Sequence, residues 1–241
     1  MLAKTRGIVL KTFNYSESSV VAKIYTENFG IKSYLIHGVR KPKAKTKANY
    51  LSLLSLLELE VYNRENKEIQ HIKEFKLAYV YQTLPYDIRK SSIALFLNEL
   101  AYNSIKEEES NPALFHFLFN AFQLLDQLQN NYSSFHLHFA VQLTKYLGFG
   151  PAESDYLPAS VFDLASGKFY TNKLKGLYII NEEESLLLYN ASVLNFEDFS
   201  SISILRTKKR ALLEHLLTYF QLHLPDFRMP LSHEVLEIVL A

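Results

Sequence analysis

Polar and hydrophobic residues alternate along the first eighty positions of the chain, which is the period of half-buried β-strands. The alternation predicts five short strands, at residues 5–13, 20–26, 31–37, 53–62 and 69–79. Asn28-Phe29-Gly30 forms a turn before the third strand, and the polar residues 63–67 have the length of a hairpin connection. Five strands with a long loop between the third and fourth predict a small Greek-key barrel of the OB-fold type, although another five-stranded barrel would have the same periodicity.

The apolar positions change their spacing after residue 87 and recur every three or four residues, as in amphipathic helices. This spacing predicts helices near residues 88–101, 114–128, 133–148, 182–191, 207–224 and 232–240. Gly and Pro residues interrupt it between 149 and 181, where we expect an inserted loop or hairpin with its turn at Ser166-Gly167. The predicted fold class is multidomain α+β: an OB-fold barrel over residues 1–80, then a mainly helical domain over 81–241 with an irregular insert at about 149–181.

The charges of the chain are distributed unevenly, although its formal net charge is only +1. Residues 1–80 hold 14 Lys and Arg against 7 Asp and Glu, whereas residues 81–241 hold 12 against 18. The densest basic run lies between the third and fourth predicted strands and consists of Arg40, Lys41, Lys43, Lys45 and Lys47. A polyanion such as nucleic acid is the simplest partner for five cations on one loop, although charged loops are often merely solvated.

Composition excludes several other kinds of protein. The chain has no cysteine, so disulfides, thiolate nucleophiles and zinc sites built on sulfur are excluded. No apolar run approaches the roughly 18 residues needed to span a bilayer, and the first six residues lack the apolar core of a signal peptide, so we expect a cytoplasmic protein without a membrane partner. P-loop, dinucleotide-binding and Gly-x-Ser-x-Gly motifs are absent, which argues against a nucleotide-dependent enzyme and predicts no cofactor.

Histidine and glutamate spacing also gives little support for a catalytic or metal site. His136 and His138 are two positions apart on a predicted helix, so their side chains point to different sides. The consecutive glutamates at 107–109 and 182–184 diverge in direction in the same way. We therefore predict no catalytic and no metal-binding residues. A hydrolase or nuclease that uses His136 and the acidic clusters is the less favoured alternative, because it needs a constellation that the spacing does not indicate.

Several short motifs along the chain have an order and spacing that resemble the RecO recombination mediators of bacteria, over nearly the whole length. The motifs are Thr5-Arg6-Gly7-Ile8-Val9-Leu10-Lys11, Tyr15 with Glu17, Thr26, Gly30, Gly38-Val39-Arg40-Lys41-Pro42-Lys43, Leu56-Leu57-Glu58-Leu59-Glu60-Val61-Tyr62, Glu99-Leu100, Tyr146-Leu147-Gly148, Arg210-Ala211-Leu212-Leu213 and His223-Leu224. The resemblance implies a non-enzymatic DNA repair and recombination mediator with an N-terminal OB-fold. Such a protein binds single- and double-stranded DNA and promotes annealing. With the partner RecR it helps load RecA recombinase onto strands coated by single-strand DNA-binding protein.

Candidate DNA-binding residues combine the basic loop with the neighbouring strands of the predicted barrel. They are Arg6, Lys11, Arg40, Lys41, Lys43, Lys45, Lys47 and Tyr34, with Lys4 as a further extension of the same surface. Cations neutralise phosphates without reading sequence, and aromatic rings such as Tyr15, Tyr34 and Tyr50 can stack on unpaired bases. An aromatic residue on a strand belongs more often to the core, so core packing is the competing interpretation of each tyrosine.

A second basic cluster opens the predicted helix 207–224 and contains Lys208, Lys209 and Arg210, preceded by Arg206. Positive charge at a helix N-terminus opposes the helix dipole, so its presence there favours a functional explanation. The resemblance implies that the helical domain receives the acidic, aromatic-ended C-terminal tail of single-strand DNA-binding protein, which would suit a cationic rim beside an apolar groove. Ordinary pairing with nearby glutamates is the alternative.

The chain departs from the resemblance in two places. Many of the proteins that it resembles carry four cysteines in the insert, which look like zinc ligands, but this insert has none, so we expect packing of Phe162, Leu164, Phe169 and Tyr170 to hold it. Ala44 stands in the basic loop where a serine is common, which removes one hydroxyl that could contact a phosphate. A protein-interaction scaffold without direct DNA binding stays open as an alternative function.

Overall fold

A computed structural model describes residues 2–39, 49–64, 67–106, 109–171 and 174–240. It confirms the predicted fold class, because a closed five-stranded barrel is followed by a helical region with a small inserted sheet. The barrel strands are β1 (Leu2–Asn14), β2 (Val20–Thr26), β3 (Gly30–Ile36), β4 (Leu56–Tyr62) and β5 (Ile69–Leu77). The inserted strands are β6 (Val161–Asp163), β7 (Lys168–Tyr170) and β8 (Ile179–Ile180). The helices are α1 (Ile88–Ser104), α2 (Pro112–Gln127), α3 (Phe135–Tyr146), α4 (Glu182–Val193), α5 (Phe196–Ser201), α6 (Arg206–His223) and α7 (Ser232–Val239).

The barrel has the strand order β1-β2-β3-β5-β4, closed by pairing of β4 with β1. β3 and β5 run parallel and the other neighbours are antiparallel. The long strand β1 pairs with β4 through its first half and with β2 along most of its length, and its register with β2 shifts between Val9 and Lys11. A Cβ at Gly7 would lie 2.6 Å from Ile24 Cγ2, so β1 can cross the core here only because residue 7 lacks a side chain.

The chain divides into two compact units, Met1–Asp87 with Ile105–Gln127 and Ile88–Ser104 with Leu128–Ala241. Helix α2 therefore belongs to the same compact unit as the barrel, although it follows α1 in sequence. Inside this unit the rings of Tyr25 and Phe115 lie 6.0 Å apart, and Tyr25 Oη donates to the carbonyl of Asn111 at 3.4 Å. These contacts cover one part of the outer barrel surface with α2.

Asp126, near the end of α2, binds the segment that follows β5. Its carboxylate accepts hydrogen bonds from the backbone N–H groups of Gln82, Thr83 and Leu84 at 2.7–3.1 Å, and from Tyr79 Oη at 3.0 Å. Burial alone would raise the pKa of Asp126, but the backbone donors and the tyrosine together lower it below its ordinary value. The carboxylate is thus a charged staple inside the first compact unit.

The insert between α3 and α4 is a three-stranded sheet in the order β7-β6-β8. Phe162, Leu164 and Phe169 are buried there, and Tyr170 is half-buried. His223 Nε2 on α6 donates to the carbonyl of Leu164 at 2.8 Å, which ties the hairpin to that helix. Packing of aromatic side chains and the hydrogen bond from His223 to the backbone therefore hold the insert in a chain that has no cysteine.

Two local features differ from the pattern of the sequence. The fourth strand begins at Leu56 rather than at residue 53, because Leu54 has a φ of 68° and its N–H bonds to the carbonyl of Val9, which ends the extended conformation. Helix α5 was not predicted, since six residues are too few for a helical period. Asn195 starts it by accepting from the N–H of Asp198 at 2.9 Å.

Candidate functional site

The five cations of the basic loop, Arg40, Lys41, Lys43, Lys45 and Lys47, lie outside the described residues. The residues that flank the loop are described and are anchored in the barrel. Val39 and Leu51 are 3 % and 4 % exposed and belong to the core cluster of the barrel. The basic sequence is therefore attached to the barrel through buried residues on both sides.

Arg6, a predicted DNA ligand on the first half of β1, is engaged inside its own compact unit. Its guanidinium binds Glu27 through Nε to Oε2 at 2.8 Å and through Nη2 to Oε1 at 2.7 Å. The same group lies over the rings of Phe119 and Phe115, at 4.9 and 5.5 Å from their centroids. The hydrogen bond from Arg6 lowers the pKa of Glu27, so this carboxylate stays charged. The structure thus places Arg6 in a bidentate ion pair with Glu27, which directly follows β2, while its guanidinium also packs on rings of α2.

The barrel face around this half of β1 is balanced by carboxylates. Lys4 lies opposite Glu60 and Arg6 opposite Glu58 in the β1–β4 register. The same two glutamates bind lysines of β5, with Lys73 Nζ 3.1 Å from Glu60 Oε1 and Lys76 Nζ 2.9 Å from Glu58 Oε2. Because each cation faces a carboxylate, this side of the barrel has little attraction for a polyanion.

The second half of β1, beyond the register shift, presents a different surface. Lys11 is exposed and lies directly opposite Lys23 of β2, so the two side chains point to the same outer side of the barrel. Lys11 Nζ also lies 5.2 Å from the ring centroid of Phe13. Sequence reasoning did not find Lys23, because its position beside Lys11 depends on the strand register and not on a local motif.

Tyr34, predicted to stack on bases, is instead part of the barrel core. It has no exposed surface, and burial raises the pKa of its hydroxyl. A ring in this position has no face that a base could reach, so its assignment as a DNA-binding residue was wrong. Tyr50 is half-buried against the same core, whereas Tyr15 is 62 % exposed.

The second basic cluster lines a cleft of about 280 Å³ in the second compact unit. The lining residues are His136, Arg206, Thr207, Lys209, Arg210, Leu213, Leu236, Glu237 and Leu240. Arg206, Lys209 and Arg210 meet there because positions i, i+3 and i+4 share one face of α6. Lys208 is not part of this wall, since its Nζ binds Glu183 at 2.7 Å. Of the three predicted partner-binding residues, Lys209 and Arg210 therefore lie together in the cleft, and Arg206 lies beside them.

The cations of this cleft differ in their surroundings. Lys209 Nζ is 2.7 Å from Ser133 Oγ, and burial lowers the pKa of its ammonium group. Arg210 Nε lies 3.1 Å from Glu214 Oε1 and 3.4 Å from Glu237 Oε2. Arg210 has 64 % of its side chain exposed, so its charge is accessible at the rim while Lys209 lies deeper.

The floor of the cleft is apolar and contains one buried imidazole. Leu213 and Leu236 are 2 % and 1 % exposed. His136 is 3 % exposed, and its Nδ1 has no hydrogen-bond partner among the described residues. Burial lowers the pKa of His136 to about 3, so the ring is neutral at physiological pH. The arrangement offers a cationic rim over an apolar floor, which suits an anionic ligand with an apolar group.

The hydrolase alternative finds no constellation in the described part of the chain. No group of three or more His, Asp or Glu there is arranged to hold a metal ion. The glutamates 182–184 occupy the first turn of α4, where negative charge stabilises a helix, and two of them bind Lys208 and His215.

Among the described helices, none is long and apolar enough to cross a membrane.

Comparison with known proteins accounts for both parts of the chain. The sequence model described as recombination protein O, N-terminal, matches residues 1–81, and the C-terminal model of the same protein matches residues 85–232. A DNA repair protein RecO of Azobacteroides pseudotrichonymphae is 32 % identical over 239 residues, 99 % of each chain. Those of Phocaeicola vulgatus and Bacteroides fragilis are each 36 % identical over 98 % of both chains. The chain belongs to the RecO family. It is therefore a protein of DNA repair and recombination.

The two surfaces fall in different parts of the RecO sequence. Lys11 and Lys23 lie within the N-terminal family match, whereas Lys209 and Arg210 lie within the C-terminal one. Part of the cleft wall comes from α7, and Glu237 lies beyond residue 232, where that match ends. The cleft of this RecO protein is thus completed by residues outside the matched family sequence.

Proposed function

We propose that this RecO protein is a non-enzymatic mediator of DNA repair and recombination. It binds single- and double-stranded DNA through cations of the barrel and promotes annealing of complementary strands. With RecR, it helps load RecA recombinase onto single strands coated by single-strand DNA-binding protein, in the cytoplasm where bacterial DNA lies. The observation that carries this proposal is the pair Lys11 and Lys23, side by side on the outer barrel of a DNA repair protein whose basic sequence 40–47 is joined to the same barrel.

The DNA contact that we propose is electrostatic and independent of base sequence. Lysine and arginine release counterions from phosphates, so the affinity falls as salt rises and more steeply when more cations take part. Such a surface supports annealing because it reduces the repulsion between two strands without reading their bases. Arg6 is left out of this contact, since its guanidinium is bound by Glu27.

For the second compact unit we propose that the cleft beside α6 receives the acidic, aromatic-ended tail of single-strand DNA-binding protein. Arg206, Lys209 and Arg210 would attract its carboxylates, and Leu213 with Leu236 would pack against its terminal aromatic ring. Short acidic peptides are commonly bound in this way, with charged contacts at the rim of a groove and an apolar anchor on its floor. Lys208 faces Glu183 and takes no part.

DNA binding is tested by titrating a fluorescent single-stranded oligonucleotide across a range of salt. We expect steep salt dependence for the wild type, and a smaller slope both for Lys11→Gln with Lys23→Gln and for a variant in which the five cations of 40–47 are neutral. The matched control is Lys73→Gln with Lys76→Gln, which removes two cations from the carboxylate-rich face. If the wild type binds no DNA at low salt, the scaffold alternative replaces this proposal.

Tail binding is tested with a labelled acidic peptide that ends in phenylalanine. Lys209→Gln with Arg210→Gln is expected to weaken binding by roughly 5- to 30-fold, given about 0.5–1 kcal/mol for each partly exposed charge contact. Lys208→Gln is the control, because it removes one positive charge from the same helix at a position that binds Glu183, where the double variant removes two. An equal loss of binding free energy per charge removed would show that general charge, and not the cleft, attracts the peptide.

A further inference from the structure

Helices α1 and α7, which pack on each other in the second compact unit, each have an apolar stripe that faces solvent. On α1 the stripe contains Ile88 and Leu95, which are seven positions apart and therefore lie on one side of the helix. Their side chains are 71 % and 39 % exposed. Tyr102, a further seven positions along, continues the same side and is half-buried. Helix α1 thus presents a row of large apolar side chains spaced two turns apart.

On α7 the stripe consists of Leu231, Val235 and Ile238, whose spacings of four and three residues place them on one face. Leu231 immediately precedes the helix and has helical angles, with φ −69° and ψ −27°, so it continues this face. The three side chains are 76 %, 47 % and 74 % exposed. Leu236, by contrast, is 1 % exposed and lines the cleft beside α6. Helix α7 therefore has two apolar sides, and only one of them is buried.

A hydrogen-bonded contact between the two helices shows that the stripes are neighbours. The carboxylate of Glu99 on α1 accepts from the backbone N–H and from Oγ of Ser232 on α7, at 2.9 and 2.6 Å. Leu95 is four residues from Glu99, and Val235 is three residues from Ser232. On each helix the stripe therefore borders the side that touches the other helix. The two stripes form one surface, here called the α1–α7 face, of Ile88, Leu95, Tyr102, Leu231, Val235 and Ile238.

The α1–α7 face is large for a solvent-exposed apolar surface. Its five aliphatic side chains are 39–76 % exposed, and together they leave on the order of 500 Å² of apolar surface, near the largest patch that a monomer usually exposes. Contact between two such patches would bury about 1,000 Å², the lower limit for a specific interface between proteins. A partner that covers the face must therefore present a comparable apolar surface of its own.

The charges near the α1–α7 face favour a second copy over a charged ligand. The sequence of α7, Ser232–Val239, contains no Lys or Arg, whereas helices that lie on an anionic membrane have these residues on their polar side. Arg228 before the helix and Glu234 on it are both exposed, so the edge of the face has both signs. An identical copy supplies an equal apolar area and opposite charges at the edge, and a two-fold contact of this kind is closed and self-complementary.

We propose that the α1–α7 face binds a second copy of this chain, in a two-fold contact to which each copy contributes the same side chains. The inference goes beyond the mediator function and does not depend on DNA binding. The cleft beside α6 lies on the other side of α7, so it stays open to a peptide in the pair. If the proposed DNA binding is correct, a pair holds two strands at once, which is what annealing requires.

The experiment is sedimentation velocity of the full chain over a wide range of protein concentration, at low and at high salt. We expect a monomer–dimer equilibrium with a dissociation constant in the micromolar range, as suits a small interface. The dimer should persist at high salt, because salt does not screen the burial of apolar surface. Attraction between the net-positive first eighty residues of one copy and the net-negative remainder of another would instead disappear at high salt.

Two variants test the face itself. Leu231→Lys and Ile238→Lys each place a charge in the contact from both copies, so each should raise the dissociation constant by at least roughly 100-fold. Leu177→Lys is the matched control, since Leu177 is 87 % exposed on the insert of the same compact unit, and it should leave the equilibrium unchanged. Circular dichroism and melting curves report whether each variant keeps the fold.

Several results would overturn the inference. A wild-type chain that stays monomeric at every concentration does so without any variant. A dimer that dissociates at high salt, or that Leu177→Lys weakens as much as the other two substitutions, places the contact elsewhere. Flotation of a monomeric wild type with phosphatidylcholine vesicles, lost in Leu231→Lys and Ile238→Lys, would assign the face to a lipid surface. Oligonucleotide titration measures DNA binding separately, so failure of either proposal is recognised by itself.

Discussion

Replacement of Asp126 should destabilise the first compact unit more than any change of a surface carboxylate. Asp126 is 1 % exposed, and its oxygens accept from three consecutive backbone N–H groups at residues 82–84 and from Tyr79 Oη. Leu84 is itself buried, so its N–H has no access to water when the acceptor is removed. The donors at Gln82 and Thr83 are more exposed and can turn to solvent.

The magnitude follows from these contacts. A hydrogen bond to a charged group contributes about 1.5–3 kcal/mol, and solvent partly replaces those of the exposed donors, so Asp126→Ala should cost about 3–5 kcal/mol. Asp126→Asn should cost only about 1–2 kcal/mol. Its carbonyl oxygen can still accept from the backbone groups that bind Oδ1, and the Tyr79 hydroxyl can accept from the new amide.

The assay is denaturant unfolding followed by circular dichroism, combined with amide hydrogen exchange at residues 82–84. Asp126→Ala should lower the free energy of unfolding and remove protection at these amides, and Tyr79→Phe should cost about 1 kcal/mol. An exposed carboxylate on the insert, Asp155, provides the control substitution Asp155→Ala. If Asp126→Ala and Asp126→Asn destabilise equally, or if exchange at 82–84 does not change, the staple explanation is refuted.

The pH dependence of this staple has a defined sign. The pKa of Asp126 is lowered in the folded protein, so between its folded and ordinary values the unfolded chain binds more protons. The stabilisation is therefore complete above the ordinary aspartate pKa and is lost as the pH falls through the lower folded value. Asp126→Asn should remove this part of the acid sensitivity, as measured by unfolding at a series of acidic pH values.

Three further predictions concern the second compact unit. Glu237→Gln, which removes a carboxylate from the cationic rim, should strengthen acidic-peptide binding by about 1.5- to 5-fold at low salt and less at high salt, as measured by fluorescence titration. Gly167→Ala should cost about 1–3 kcal/mol of unfolding free energy in a denaturation experiment, because residue 167 has a φ of 69° and its Cβ would lie 2.8 Å from Tyr219 Oη. Gly176→Ala is the control and should be near neutral, because the nearest atom to its new Cβ is 3.5 Å away. Burial lowers the pKa of His136 to about 3, so below pH 6.5 the unfolded chain binds more protons and the protein loses stability as the pH decreases. His136→Phe should flatten the curve of unfolding free energy against pH between pH 6.5 and 4. An unchanged curve would contradict the burial of this imidazole.

The sequence by itself was sufficient for most of the strands and helices, although not for the grouping of α2 with the barrel. Strand and helix periods are local properties, because each side chain's direction follows from its position in the repeat, and they predicted most of these elements near their observed bounds. The basic sequence 40–47 and the cluster Arg206–Arg210 are also visible without coordinates, and the missing cysteines already excluded a sulfur-bound metal. The order of short motifs was enough to indicate the RecO family.

Tertiary structure decided which of these residues face outward and what each one meets. Arg6 is bound by Glu27, 21 positions away, and lies over rings of α2 more than 100 positions away. Lys23 stands beside Lys11 only because of the β1–β2 register, and Leu236 joins the cleft only because α7 packs near α6. Register, ion pairing and cleft formation depend on contacts between distant segments, whose free energies no local period contains, and for that reason the site needed the fold.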